Sequence, residues 1–539
     1  MYVLKDRVFN VKWRSDFDKA CVVVNFERRG WHKWKEVRNR RGERASERRS
    51  GVRRLTRRLS SVVFARAFAH AQSDQDDWNI YWASVYSTKQ VFSADSHIRL
   101  GDHQLINQFP NHYEITRKDL MVKNMKRYRK EMIREGRDAS VLDFVPTTFV
   151  LLGDYALFAE EYRKQPNTTW FLKPSARAQG KGIFLINKLS QVRKWYATQV
   201  SLRGPRWRLS IVTCPRPFIT TNTRADTTVS LTSSLSQWPG AIKVNSSDAY
   251  VVSKYIQNPL LVGDKKFDLR LYVCVRSYRP LQAYKSSLCF ARFCNFKYTE
   301  DEDDLDNAFV HLTNVAVQKH SDSYNENHGS KWPLESLKFY LQSNYGLEKT
   351  TKLMEDIDML IIHTLKACQA VMINDRHCFE LYGYDIIVDD ALKPWLIEVN
   401  ASPSLSATTQ ADRVLKFQLI NDTLKCVAPK HWSKGGHGGS KGSSLKEGAR
   451  PNFVQGGASP LHETGSFTLL YDEVSQQQER LRLKRELEKS QEDRPRWTTW
   501  GSSASVSSGG GGSSSAPSGR RAFSAGPGPG RTTRTSFRH

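Results

Sequence analysis

The chain has 539 residues and carries 82 Lys and Arg against 55 Asp and Glu, a formal net charge of +27. A surplus of that size calls for an acidic partner: nucleic acid, an anionic membrane or an acidic protein surface. The eight cysteines form no C-x-x-C and no zinc-finger spacing with histidine, so they read as idle thiols of a reducing compartment; with no apolar run near a membrane span, the reading is a cytosolic protein.

The start, "MYVLKDRVFNVKW", lacks the apolar core of a signal peptide. Residues 35–75 carry arginine singly and in pairs, with little apolar periodicity until "VVFARAFA", and read as an insert. The spacing over residues 117–135 predicts a helix. Met121, Met125, Tyr128 and Met132 make its apolar stripe, while Lys118, Lys123, Lys126, Arg127, Arg129, Lys130 and Arg134 crowd the rest. Such a helix is either a solvated surface element or an electropositive docking face.

In "FLKPSARAQGKGIFLINKL", residues 171–189, Lys181 is followed by Gly182 and "IFLI". A Walker loop would run into a helix instead, so the stretch predicts a β-hairpin. Its loop brings Gly180 and Gly182 for close backbone approach to a polyphosphate, with Lys173 and Lys181 as charge. An ordinary basic hairpin is the competing reading. Residues 199–243, rich in Thr, Ser, Arg and Pro, form a second insert.

"AYVVSKYI" predicts a strand leading to a Pro/Gly linker, with Ser253, Lys254, Tyr255 and Ile256 at a hinge suited to holding a purine. Along "KKFDLRLYV", Lys266, Asp268 and Arg270 share one strand face, and Phe267, Leu269 and Leu271 share the other. A cation, an anion and a guanidinium in a row suit phosphates, ribose hydroxyls and a carboxylate.

"YGYDIIVDDALKPWLIEVNASPSL", residues 382–405, predicts a second hairpin closed by "DDALKP". Symmetric closure sets Val388 opposite Trp395 and Asp385 opposite Glu398, with Asn400 on the same face. Three hard oxygen donors then converge, of the kind Mg2+ takes while it keeps waters and substrate phosphates. From 433 onward the chain is Gly/Ser-rich apart from a short charged helix at 479–489, and disorder is expected.

In this order "FLKP…QGKGI", "SKYI.NPLL", "KFDLRLYV", "HLTN", "HGSKW" and "CFELYGYDIIVDD..LKPWLIEVNASPSL" resemble the tubulin tyrosine ligase-like family. "INQFPNHYEITRKDLMVKN" and "GIFLINKLSQVRKW" are similar, within it, to the catalytic subunit of a tubulin polyglutamylase complex. The resemblance implies an α/β (α+β) ATP-grasp fold with a small N-terminal domain. It implies a catalytic domain over 11–430, in parts 11–165, 166–262 and 263–430, and a disordered basic tail over 431–539. A brief return of similarity falls at "LLYDE", 469–473.

Carried over position by position, the resemblance assigns ATP phosphates to Lys173 and to Gln179, Gly180 and Lys181. Adenine falls to Ser253–Ile256, and phosphate and ribose to Lys266, Phe267 and Asp268. Thr313 and Asn314 become further nucleotide contacts, and Asp385, Glu398 and Asn400 ligands of two Mg2+. Arg292 and Lys331 bind the incoming free L-glutamate, and Arg270 assists at the γ-phosphate, with Lys181 and Glu398 also catalytic. The implied reaction is ATP-dependent ligation of glutamate to glutamate side chains in acidic tubulin tails, through an acylphosphate.

The same resemblance implies non-catalytic partner subunits, a preference for α-tubulin, and the cytoskeleton, axonemes and basal bodies as location. Two alternatives stay open: the same fold adding glycine or tyrosine, and a non-catalytic microtubule-binding scaffold. No binding module with interleaved aromatics occurs, so nucleic acid is not expected as a partner, and with no apolar run near a membrane span neither is a membrane. The two inserts, which part flanks that otherwise run on as family sequence, are either partner-adapted loops or translated non-coding sequence.

Overall fold

The computed structural model describes residues 10–34, 77–96, 98–151, 153–176, 180, 182–193, 249–301, 307–321, 330–407, 409–429, 432 and 464–492. Both predicted inserts lie outside these residues, and so do Gln179 and Lys181. The described part is a mixed α/β structure built on three sheets.

The first sheet is parallel. Its strands β1 (Lys12–Ser15), β2 (His32–Lys33), β3 (Ile80–Trp82) and β4 (Leu105–Ile106) run in the order β2-β1-β3-β4. Trp13, Ile80 and Leu105 are buried in it, against Phe26 of the helix Ala20–Arg28. Since β1 pairs with both β2 and β3, the chain on either side of the 35–75 insert belongs to one ladder.

A second, antiparallel sheet holds β5 (Thr148–Val150), β6 (Trp170–Pro174), β7 (Phe184–Ile186) and β8 (Tyr250–Lys254) in the order β5-β8-β6-β7. The predicted glycine-loop hairpin is β6–β7, with Leu172 opposite Phe184. Its Trp170, Leu172 and Ile186 pack with Phe158 in a core of their own.

The third sheet organises the rest. β10 (Lys265–Tyr278), 14 residues long, is flanked by β9 (Leu261–Val262), β11 (Leu281–Ser286), β12 (Phe290–Phe293) and β14 (Glu380–Val388). β15 (Pro394–Ala401) continues from β14, β13 (Lys331–Pro333) from β12, and β16 (Phe467–Asp472) from β11. Leu269, Leu271 and Val273 of β10 enter the main core with Ile357, Leu360 and Ile361 of the helix Leu347–Gln369.

Two expectations change here. β14 and β15 form the predicted hairpin with Asp385 opposite Glu398, but Trp395 pairs with Ile387 and Val388 with Pro394. A bulge beyond Asp385 shifts the register by one, so the symmetric turn held only on the far side of it. Disorder from 431 also fails at 464–492. β16 covers the edge that β11 would otherwise leave open, Phe467 is buried, and the helix Glu473–Glu492 follows. The helix thus exceeds the short 479–489 segment read from sequence.

The charged helix is Lys118–Arg134, with Met121, Met125, Tyr128 and Met132 buried as its stripe predicts. No helix among the described residues is long and apolar enough to cross a membrane. Six of the seven described cysteines are buried and all seven are free.

Candidate active site

Antiparallel pairing turns the alternation of β10 into a charged row. Arg292 on β12 is the register partner of Lys331 on β13 and of Asp268 on β10. Two residues along, Arg270 partners Asp385 on β14, which partners Glu398 on β15. Five strands therefore contribute six ionisable side chains.

The contacts within this row are close. Arg270 donates to Asp385 from Nε at 2.5 Å and from Nη2 at 3.0 Å. Arg292 donates from Nε to Asp268 at 2.7 Å, its Nη2 meets the other Asp268 oxygen, and the same nitrogen lies 3.0 Å from Asp385. Burial would raise the Asp385 pKa, but Arg270 and Arg292 outweigh it and hold the carboxyl well below the usual range. Asn400 Nδ2 donates to Asp385 at 3.2 Å. Gly383 leaves room for this arrangement: a Cβ there would lie 3.3 Å from Arg270 Cδ and 3.1 Å from Pro403 Cβ.

Lys118, the first residue of the charged helix, is 8% exposed, and its Nζ sits 2.6 Å from Glu398 Oε2. Sequence reading spread it among surface cations, because a Lys at a helix start looks the same whether it faces water or a cleft. Lys331 Nζ meets Asp412 at 2.8 Å, and Asp412 also holds Lys416 at 3.2 Å. Both Asp412 and Lys416 escaped the sequence reading.

Facing the row is the glycine hairpin. Lys173, the penultimate residue of β6, is buried; desolvation lowers its pKa to about 8, with Lys118 and Lys266 adding and Glu398 opposing. Gly180 has φ +73° and Gly182 φ +76°, the left-handed region glycine adopts freely. A Cβ on Gly180 would lie 3.1 Å from Val317 Cγ2, so Gly180 packs directly on the segment after "HLTN".

Lys266 points into the same space. Its Nζ lies over the rings of Tyr255 at 4.4 Å, Tyr298 at 5.8 Å and Phe171 at 5.9 Å, and donates to the Tyr255 hydroxyl at 3.0 Å. That hydroxyl also meets His311 Nδ1 at 2.9 Å. Burial lowers the Lys266 pKa to about 8, against Cys294 and Asp268. Phe267, by contrast, faces the core and packs on Phe293, as the alternation demands.

A cavity of about 80 Å³ is walled by Lys118, Lys173, Gly180, Lys266, Asp385 and Glu398, with Thr313 and Asn314 at its side. A second, of about 40 Å³, shares Lys118, Lys173 and Lys266 and continues between Met121, Val122 and Leu396 to Ser253, Lys254 and Ile256. One compartment is thus ringed by charge and the other largely by apolar side chains. Ser253 Oγ accepts from Thr148 at 3.0 Å. Tyr255 does not line the second compartment; its side chain is turned to Lys266.

The model of the tubulin-tyrosine ligase family matches residues 94–434, well over half of the chain, and the chain belongs to that family. It is 42% identical over 475 residues to "Probable alpha-tubulin polyglutamylase Ttll1" of Tetrahymena thermophila, covering 86% of this chain and 94% of the relative. It is 42% identical over 405 residues to "Probable tubulin polyglutamylase TTLL9" of Bos taurus, covering 75% and 83%. Against "Tubulin polyglutamylase TTLL5" of Homo sapiens the identity is 31% over 391 residues, 70% of this chain and 25% of that much longer protein.

Proposed function

We propose that this chain is an ATP-dependent tubulin polyglutamylase of the ATP-grasp fold, joining free L-glutamate to glutamate side chains of acidic tubulin tails, α-tubulin's first. The observation that carries the reading is the charged row itself, which runs without interruption from Glu398 and Asp385 beside the cleft to Arg292 and Lys331. The names of the relatives support the substrate.

The two-compartment cleft suits a nucleotide. Ser253, Lys254 and Ile256 border the compartment whose apolar walls fit a base, while Lys173, Lys266, Thr313 and Asn314 border the one whose charge fits phosphates. Among the described residues no three His, Cys, Asp or Glu side chains cluster as a metal cage. Asp385, Glu398 and Asn400 offer two carboxylates and an amide, a sparse hard set that fits Mg2+ still holding waters and phosphates. Bound there, Mg2+ would neutralise charge on the transferring phosphoryl group.

The acceptor carboxylate attacks the γ-phosphorus, ADP leaves, and the amine of free glutamate displaces phosphate from the acylphosphate to give an isopeptide bond. The protein's part is positioning and charge. Arg270, fixed by Asp385, presents guanidinium donors at the transferring phosphoryl group, and Arg292, held by Asp268, together with Lys331, steadied by Asp412 alongside Lys416, supplies the cations for the amino acid's carboxylates. No Ser or Cys nucleophile is called on.

Purified chain with tubulin, ATP, Mg2+ and labelled glutamate, glycine or tyrosine tests this: glutamate incorporation supports it, and glycine or tyrosine alone overturns the substrate. Action at axonemes and basal bodies with non-catalytic subunits belongs to the same proposal. Failure of the isolated chain to ligate, with rescue by co-expressed subunits, supports the complex.

A further inference from the structure

Between the cleft and the strands carrying Arg292 and Lys331 runs a buried chain of amides that the reaction as described does not use. Gln318, 1% exposed at the end of the helix Val315–Gln318, donates from Nε2 to the carbonyls of Phe309 at 3.0 Å and Leu312 at 2.5 Å. Its Oε1 accepts from the Asn295 backbone N–H at 2.8 Å, and Asn295 Nδ2 returns a bond to the Gln318 carbonyl at 2.8 Å. Asn295 Oδ1 in turn accepts from the Ser330 hydroxyl at 2.6 Å. Ser330 immediately precedes Lys331, and its carbonyl accepts from Phe293 N–H at 2.8 Å, next to Arg292.

On the cleft side, the same segment meets Gly180. A Cβ on Gly180 would come within 3.1 Å of Val317 and 3.4 Å of Asn314 Oδ1. Contacts are therefore continuous from Gly180 through residues 312–318 to Asn295, Ser330 and Lys331. At such burial, losing one amide partner strands several polar groups at once.

We propose that Gln318 is a positioning residue that links occupation of the cleft beside Gly180, Thr313 and Asn314 by nucleotide to the placement of Lys331 and Arg292 for the incoming amino acid. This rests on the ligase reading above. A filled nucleotide site then tightens amino-acid binding, and by reciprocity the amino acid tightens nucleotide binding by the same factor.

The test uses the full chain, a non-hydrolysable ATP analogue and labelled glutamate, with equilibrium binding measured for each ligand alone and together. In the wild type the analogue should tighten glutamate binding about tenfold. Gln318→Met keeps length and burial but loses both amide functions; it should bring that factor near one while analogue binding alone changes less than about twofold. Ser330→Ala, which cuts only the last link, should weaken glutamate and leave the analogue untouched. Gln318→Met with an unchanged factor, or with both ligands and Tm lost in parallel, overturns the proposal. Should that variant fail to fold, Ser330→Ala decides alone, and unchanged glutamate binding there overturns it. A wild type that binds no glutamate sinks the ligase reading; one that binds it without regard to nucleotide sinks only the link.

Discussion

Arg270 on β10 and Asp385 on β14 are register partners, and the guanidinium grips both carboxylate oxygens, at 2.5 and 3.0 Å. A carboxylate so held stays ionised in the interior and keeps its charge for the cleft. The fork that does this is planar and two-toothed, which an ammonium cannot reproduce. Arg270→Lys is expected to lower kcat about 10²-fold, while circular dichroism still reports a folded chain; an unchanged kcat would remove Arg270 from the machinery.

Glu398 stands opposite Asp385 and 2.6 Å from the Lys118 ammonium. Glu398→Gln keeps the shape but removes one of the two carboxylates. Ligation should fall to background while co-sedimentation with microtubules persists, and Tm should drop modestly as the close Lys118–Glu398 ion pair is lost. A normal ligation rate would show the metal-binding set to be misassigned.

Lys173 and Lys266 carry burial-lowered pKa values of about 8. As pH rises through that value both lose charge, so nucleotide affinity should fall above about pH 8. Stability has the opposite sign. Between about 8 and the unfolded Lys value of about 10.4 the unfolded chain binds more protons than the folded one, so the nucleotide-free fold gains stability with rising pH. Equilibrium binding of ATP and thermal melts across pH 7 to 10 read both trends, and Lys266→Arg should flatten the first. Affinity and stability rising together would contradict the placement of these lysines.

The charged helix is less free to dock a partner than its composition suggested. Lys126 is paired with Asp154 at 3.3 Å, Arg129 with Asp143, and Arg127 donates to the Ala367 carbonyl at 2.8 Å. Lys123, Lys130 and Arg134 are exposed along one stripe. Charge reversal at these three should raise KM for microtubules and flatten its salt dependence, since the Debye length shrinks from about 30 Å at 0.01 M to about 10 Å at 0.1 M. KM for ATP should stay nearly constant; parallel changes in the two would mean that the helix serves the fold rather than the substrate.

Much of the cleft could be read from period-two patterns. The glycine hairpin, the shared face of Lys266, Asp268 and Arg270, and the pairing of Asp385 with Glu398 are all local consequences of alternation and turn chemistry. What stayed hidden depends on partners distant in sequence. Lys118 meets Glu398 across 280 positions of chain (398 − 118), and Asp412 meets Lys331 across 81. The bulge after Asp385 left no mark in the turn, and β16 was masked by the glycine and serine around it, although its six residues complete the sheet edge. Phe267, taken with the nucleotide contacts because of its neighbours, belongs by that same alternation to the core.

The measurement that bears most directly on function is mass spectrometry of tubulin tail peptides after incubation with the chain, any partner subunits it needs, ATP and Mg2+. Glutamyl residues added in branched linkage to internal glutamate side chains, absent without ATP and absent with Glu398→Gln, are the expected result. Tails carrying only added glycine or tyrosine, or left unmodified under every one of these conditions while the chain still binds microtubules, would contradict it.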